Sequence, residues 1–386
     1  MDRRKFFQIA SVTGAGVAAN AFTGKLMASP KPAFALQEQP AKPATNYEEA
    51  LKIPRTKTSM PGLYPGKVVK AFHPDSVVND VPVESVAYSM LSQSMLLLTG
   101  AKSVQEAWKQ FVSPTEVIGL KVNPIGKALL STSHAVVKSV IKQLEEAGIP
   151  KKNIVIWDRR GEQLEEAGFT PQNYPDIKML STEIQENGSY YGADGKLLGL
   201  NRIDEKWYYW ADCEQEYDAY TLPFMVNEGK FSYFTKVCTQ EVDKIINIPI
   251  MKNSGASVTL CLKNLAFGAI TNTSRLHKDL WAETCAQVCA FPPLRDKVVL
   301  NIADGLIGCY DGGPGANPQF ICQYNTLLVG SDPVAVDRIG HEIIIGRRIS
   351  EGRQKEESPR GIAQLMLAQE YGLGVAERDK IELIEV

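Results

Sequence analysis

Three lysines stand where apolar runs give way to polar or glycine-bearing segments. Lys121 ends Val117-Ile118-Gly119-Leu120-Lys121 and leads into Val122-Asn123-Pro124-Ile125-Gly126. Lys252 ends Pro249-Ile250-Met251-Lys252 ahead of Asn253-Ser254-Gly255, and Lys263 follows in Cys261-Leu262-Lys263-Asn264. A third polar loop runs from Asp304 to Gly315. In open α/β sheets ligands sit beyond the carboxyl ends of the strands, so such loops can converge on one crevice. Three ammonium groups gathered there, in a chain of net negative charge, complement a small anion such as a carboxylate or phosphate. His134 and His277 suit proton transfer, since an imidazole titrates near neutrality. Asp304 and Asp337 are placed to orient the lysines or to hold a divalent metal. Asn123, Asn264, Gly305, Gly312 and Gly313 complete the expected substrate-binding set. Any one of these lysines, taken alone, is more simply a solvated or acid-paired side chain. The expectation rests on the set.

Other chemistries are less well supported. The stretch from Gly305 to Gly315 contains neither Gly-x-Gly-x-x-Gly nor Gly-Lys-Ser/Thr, so nucleotide binding lacks its motif. Neither histidine lies in a His-Glu-x-x-His spacing. The seven cysteines, at 213, 238, 261, 285, 289, 309 and 322, cannot all pair within one chain. Only Cys285 and Cys289 are close, four residues apart on a helical pattern and so on one face. No Cys-x-x-Cys or common ferredoxin spacing occurs. An iron–sulfur cluster would need distant residues such as Cys261, Cys285, Cys289 and Cys309, and small buried hydrophobes are the simpler reading. Ser331-Asp332-Pro333 is a helix start, with Asp332 as cap and Pro333 in the first helical position. Asp337, one turn further on, needs a partner if buried, and a lysine is the expected one.

The elements that must hold these residues alternate. Gly66–Phe72, Val117–Val122 and Asn153–Trp157 have strand character, whereas Val83–Leu98 and His134–Ala147 have apolar residues at helical spacing. Strand, helix and strand in that order predict a parallel crossover unit, and hence an α/β, mostly parallel, doubly wound sheet. The rhythm resumes with Lys244–Ile248, Val298–Ile302 and Thr326–Val329, and closes with Lys380–Ile384. Between Thr182 and Phe234 it is broken by an aromatic-rich β insertion with turn signals at Asn187-Gly188 and Asp194-Gly195. That insertion is either a subdomain packed on its own aromatics or an aromatic wall over a binding site. The organisation is thus an arm or linker over 36–65, rich in Pro, Lys and Thr, and an α/β domain over 66–386 carrying the insertion at 182–234.

The first 35 residues read as an export signal. Arg3-Arg4-Lys5-Phe6-Phe7 fits the twin-arginine pattern, a weakly apolar stretch follows from Ile9 to Phe22, and Ala33-Phe34-Ala35 is a small-x-small cleavage site. The stretch is too short and too polar to span about 30 Å of hydrocarbon. The expected location is periplasmic or extracellular, with the twin-arginine machinery as a partner and no stable membrane anchor. Because that route carries folded proteins, a cofactor loaded beforehand, a divalent metal or an iron–sulfur cluster, stays open. The whole chain has 386 residues and a formal charge of −2, without the basic footprint of a nucleic-acid binder. With 44% hydrophobic and 22% charged residues it is a globular composition, which excludes intrinsic disorder.

Taken together the motifs resemble the domain-of-unknown-function family numbered 362, from about Val117 to the C-terminus apart from the insertion. The segments that carry the resemblance are Lys121-Val122-Asn123, Ser133-His134, and Pro249-Ile250-Met251-Lys252 running into Val258–Gly268. They continue with His277, Ile302-Ala303-Asp304-Gly305, Gly312-Gly313-Pro314, and Gly330–Asp337. The resemblance implies an α/β fold and a shared polar site, and supplies no reaction. Family members often have a histidine two residues past the second lysine, where this chain has Ser254, so a role for that imidazole is not carried over. Some relatives carry ferredoxin-type cysteine motifs, which implies redox work, and this chain has none of them. Three functions fit: an enzyme acting on a small anion, a metal or iron–sulfur redox protein, and a non-catalytic binding protein.

Overall fold

A computed structural model describes residues 41–214, 229–255 and 257–386. The expected export signal at 1–35 and three insertion aromatics, Tyr217, Tyr220 and Phe224, lie outside them. Ten strands make the main sheet: β1 (Lys67–Phe72), β2 (Ile118–Lys121), β3 (Ile154–Trp157), β4 (Lys178–Leu180), β5 (Lys244–Asn247), β6 (Ile250–Ser254), β7 (Ser257–Thr259), β8 (Val298–Cys309), β9 (Ile321–Gly330) and β10 (Glu382–Glu385). Eight of them lie in the order β10-β1-β9-β8-β5-β2-β3-β4, and β6 joins through β8 with β7 as its hairpin partner. Along the eight-strand path only β9 runs against the others. The sheet is therefore mostly parallel, as the alternation of elements requires.

Parallel strands need long crossovers, and helices supply them on both faces. On one face α1 (Glu84–Thr99) and α2 (His134–Glu146) cover Ile118, Leu120, Ile154, Ile156, Ile246, Leu300 and Ile302. On the other, α3 (Cys261–Ala269) and α4 (Trp281–Cys289) cover Val155, Trp157 and Ile245, and α5 (Pro333–Ser350) packs on Val68, Ala303 and Leu328. The odd and even residues of one strand thus serve different cores, which is the period of two that a pleated strand imposes. No helix among the described residues is long and apolar enough to cross a membrane.

The insertion contributes an antiparallel ribbon, Ile203–Trp210 against Phe231–Thr235. Tyr208 meets Phe231 at 5.1 Å between ring centroids, and Phe231 stacks on Tyr233 at 5.9 Å. These rings pack on one another and form no wall over the cleft described below. The preceding arm includes a short helix, Tyr47–Lys52, and rests on the body through the buried Ala50 and Met60.

Two buried aspartates fix the helix starts. Asp332 caps α5 by accepting from Val334 and Ala335 N–H at 2.9 Å, and its second oxygen accepts from the N–H groups of Gly66 and Val375. Asp337 meets no lysine among the described residues, contrary to expectation. Its carboxylate accepts from the N–H groups of Cys261 and Leu262 at 2.5 and 3.0 Å, and so caps α3, the helix that carries Lys263 and Asn264. Burial pushes its pKa up to about 7, with the two N–H groups acting in the opposite sense. Asp337→Ala strands both buried donors, at about 1–3 kcal/mol each. Urea unfolding is expected to show a loss of about 2 kcal/mol or more, at the upper end of the range for helix caps.

Candidate functional site

Pairing register places the site before any side chain is considered. Lys121 on β2 is level with Trp157 on β3 and with Asn247 on β5, and Asn247 is level with Asn301 on β8. Register partners on parallel strands point to the same face, so one polar row crosses the sheet beneath α3. Asn247, Asn301 and Lys121 are all completely buried. Beyond Asn247 the chain turns at Ile248-Pro249 and resumes as β6, which brings Lys252 over the same edge.

Three ammonium groups meet different partners here. Lys121 Nζ pairs with Asp158 and donates to the Val122 carbonyl at 2.8 Å and to Asn264 Oδ1 at 3.2 Å. Its amine fills the space above Gly268 on α3, where a Cβ would stand 2.3 Å from Lys121 Cε. Lys252 Nζ donates to Asn123 Oδ1 at 2.8 Å and has no carboxylate partner among the described residues. Burial lowers its pKa from 10.5 to about 7, with the nearby Cys309 opposing and Lys263 assisting. Lys263 Nζ donates to Ser254 Oγ at 2.5 Å and lies 5.6 Å from the centre of the Phe267 ring. Burial lowers its pKa as well. The Ser254 hydroxyl is an ordinary partner for this ammonium.

A cleft of about 80 Å³ opens above the row, lined by Lys121, Asn123, Arg159, Thr259, Lys263 and His277 among others. A second hollow of about 190 Å³, reaching Ser254, Trp281 and Arg360, shares Lys263, His277 and Pro314 with it. Thr259 is 2% exposed, and its Oγ1 has no hydrogen-bond partner among the described residues. Arg159 donates to Thr273 Oγ1 and pairs with Glu183 at 3.3 Å, an acid it shares with Arg160. His277 Nδ1 lies 3.0 Å from the Thr273 carbonyl, which can only accept, so the neutral ring carries its proton on Nδ1 and its lone pair on Nε2. The ring sits 4.5 Å from Phe267, centroid to centroid. Desolvation and then the charge of Lys263 push its pKa down to about 4. Since the residue is exposed at the mouth, water on its open side argues for a smaller displacement. Either way the imidazole is neutral near pH 7.

The structure thus brings together Lys121, Asn123, Lys252, Lys263, Asn264 and His277. Other expected members stand elsewhere. His134 is the first residue of α2, with Nδ1 2.5 Å from the Tyr174 hydroxyl and Nε2 2.9 Å from the Ala167 carbonyl, and both nitrogens are used. Asp304 accepts from the N–H groups of Ser133 and Leu306 at 2.6 and 3.1 Å, and so braces the start of α2. Gly305 lies within β8 against Met251, where a Cβ would come 2.3 Å from the sulfur. Gly312 and Gly313 lie on the β8–β9 loop, where the Gly313 N–H donates to Asn253 Oδ1 at 3.2 Å and a Cβ would stand 1.7 Å from the Asn253 carbonyl oxygen. Their neighbour Pro314 touches the cleft. Asp158, Arg159, Asn247, Thr259 and Asn301 are site residues that motif reading passes over. Asn247 and Asn301 carry a local signal, a polar residue within a buried apolar strand.

A metal or iron–sulfur group does not fit these residues. Among the described residues no group of three or more His, Cys, Asp or Glu side chains is arranged to hold a metal ion. Asp304 and Asp337 spend their oxygens on main-chain N–H groups. Burial raises the thiols of Cys261 and Cys289 well above the usual range and that of Cys285 to about 12.

The buried Lys252 has a consequence for stability. Between about pH 7 and pH 10 the unfolded chain holds a proton that the folded chain has released. Stability conferred through this group therefore rises with pH across that window and falls away as pH drops towards 7. Urea midpoints are expected to show this rise in the parent protein and a flatter profile in Lys252→Met.

Comparison with known proteins adds a family to this geometry. A crystal structure of a protein from Thermotoga maritima is similar at 9% identity with a TM-score of 0.39, over 69% of this chain and 60% of that one. The chain thus spans less than two thirds of that protein's length. No curated protein sequence matches. A family model described as "Domain of unknown function (DUF362)" matches residues 118–342, more than half of the chain and the whole span from Lys121 to Asp337. The chain belongs to that family.

Proposed function

We propose that this protein is an enzyme acting on a small anionic molecule held in the cleft of Lys121, Lys263 and His277. We further propose that it is exported by the twin-arginine route to the periplasm or beyond. The observation that carries the first reading is Lys263. The residue is 9% exposed and lines the cleft, and its ammonium has one hydroxyl as partner and no carboxylate among the described residues. Burying an unpaired charge is costly, so an arriving anion supplies what the fold leaves out. Thr259 Oγ1, unpartnered in the same wall, is a second donor for it. Lys121 is neutralised by Asp158, and its three N–H donors go to Asp158, the Val122 carbonyl and Asn264, so it forms a fixed wall of the cleft. His277 Nε2, with its lone pair at the mouth, is the base that takes a proton from the bound molecule. The export reading is supported by the order Arg3-Arg4, weakly apolar stretch, Ala33-Phe34-Ala35.

Hydrogen bonds to charged groups are worth about 1.5–3 kcal/mol. Titration calorimetry with phosphate, sulfate and acetate is therefore expected to show one site in the parent, weakened about ten- to a hundredfold in Lys263→Ala. The melting temperature should hold or rise, because the variant removes a buried charge. An anion favours the protonated amine, so affinity falls as pH rises through the lowered pKa of Lys263. Equal binding by parent and variant, or none by the parent, refutes the cleft. For export, residues 1–35 fused to a folded reporter should carry it across the inner membrane, and replacing Arg3 and Arg4 by lysine should leave it inside.

A further inference from the structure

Lys252 and two asparagines deeper in the sheet, Asn247 and Asn301, lie outside the lining of the cleft, yet hydrogen bonds join them to it in a single direction. Lys252 Nζ donates to Asn123 Oδ1 at 2.8 Å, and Asn123 Nδ2 donates to Asn264 Oδ1 at 3.0 Å. Asn264 Nδ2 donates to Asn247 Oδ1 at 2.8 Å, and Asn247 Nδ2 to Asn301 Oδ1 at 3.0 Å. Asn301 Nδ2 ends the series on the Ser331 carbonyl at 3.1 Å. Lys121 Nζ enters at the middle, on Asn264 Oδ1. All four asparagines are 3% exposed or less.

The direction is dictated by chemistry. An amide's oxygen and nitrogen have nearly the same shape, so each member alone can be turned over. An amine bound to an amide oxygen must donate, and a main-chain carbonyl must accept. The two ends therefore set every amide between them, and turning one over sets donor against donor and acceptor against acceptor. Each such contact leaves buried polar groups unpaired. The result is a ladder of four amide dipoles whose oxygen ends all face the lysines.

We propose that Asn247 and Asn301 are positioning residues of the cleft: through the ladder they hold Asn264 and Asn123 with their oxygens towards Lys121 and Lys252, and so set the charge and place of both amines. This rests on the reading of the cleft as an anion site. None of the other groups that act on Lys252, namely Cys309, Lys263, Asp158 and Lys121, hydrogen-bonds Asn247 or Asn301; of these four, Lys121 is joined to the ladder, through Asn264.

The test uses the full chain labelled at lysine Cε with carbon-13, the Lys252 signal being assigned by its loss in Lys252→Met. Asn301→Ala and Asn247→Ala withdraw oxygen-end support, so the Lys252 titration midpoint should fall by several tenths of a pH unit or more. Affinity for inorganic phosphate should fall about three- to tenfold. Asn301→Asp keeps the acceptor for Asn247 and adds negative charge, so its midpoint should rise; it also serves where the alanine variants fail to fold. An unmoved midpoint in folded Asn301→Asp and in whichever alanine variants fold overturns the ladder, and so does a moved midpoint with unchanged phosphate affinity. A parent that binds no phosphate overturns the cleft reading instead, and the midpoints then still report whether the ladder acts on Lys252.

Discussion

Three lysine amines are buried at the carboxyl ends of the strands, and among the described residues only Lys121 has a carboxylate for a partner. That imbalance governs the surrounding structure. A buried charge must be paired, hydrogen-bonded or discharged, and the three lysines use different answers. Lys121 takes Asp158, a carbonyl and an amide oxygen. Lys252 takes one amide oxygen and has a strongly lowered pKa. Lys263 takes a hydroxyl and stands at the wall of a cavity. The same imbalance explains why amides rather than acids occupy the neighbouring positions. An asparagine offers an oxygen to an amine without adding a charge that would cancel the attraction for an incoming anion.

The backbone around the site is held by carboxylates that never enter it. Asp337 fixes the first turn of α3, Asp332 ties the first turn of α5 to Gly66 and Val375, and Asp304 braces the residue before α2. Each is buried, and each accepts main-chain N–H groups. Apart from Asp158, which lines the cleft beside Lys121, the buried aspartates named here build the frame, and the lysines furnish the cavity.

Much of this was legible before any coordinate. Apolar runs of four or five residues ending in Lys121 or followed by Lys252 identify strands that leave a buried sheet, and the helical spacing from His134 identifies the crossover that makes it parallel. What failed were residues whose roles depend on distant partners. His134 opens a helix beside a polar loop, and nothing nearby in sequence shows that its ring closes on Tyr174, 40 positions away. Asp304 and Asp337 look like ligands because carboxylates usually seek cations. Their true partners are N–H groups, which every residue but proline carries and which no composition reveals. Asn247 and Asn301 were within reach, since a lone amide in Ile245-Ile246-Asn247-Ile248 or Val299-Leu300-Asn301-Ile302 breaks an otherwise apolar strand. Their alignment across neighbouring strands depends on register, which a single strand does not encode.

The strand β8 is level with β5 near its start, where Asn301 meets Asn247, and with β6 near its end, where Cys309 meets Lys252. One continuous ribbon therefore serves as a common spine for two tiers of the site on either side of Pro249. Shear between those tiers would have to break pairing along a single strand, which ties the two levels together. Whatever adaptation a visiting molecule requires is left to the parts that do not share this spine, chiefly the imidazole at the rim and the proline-bearing loop opposite it.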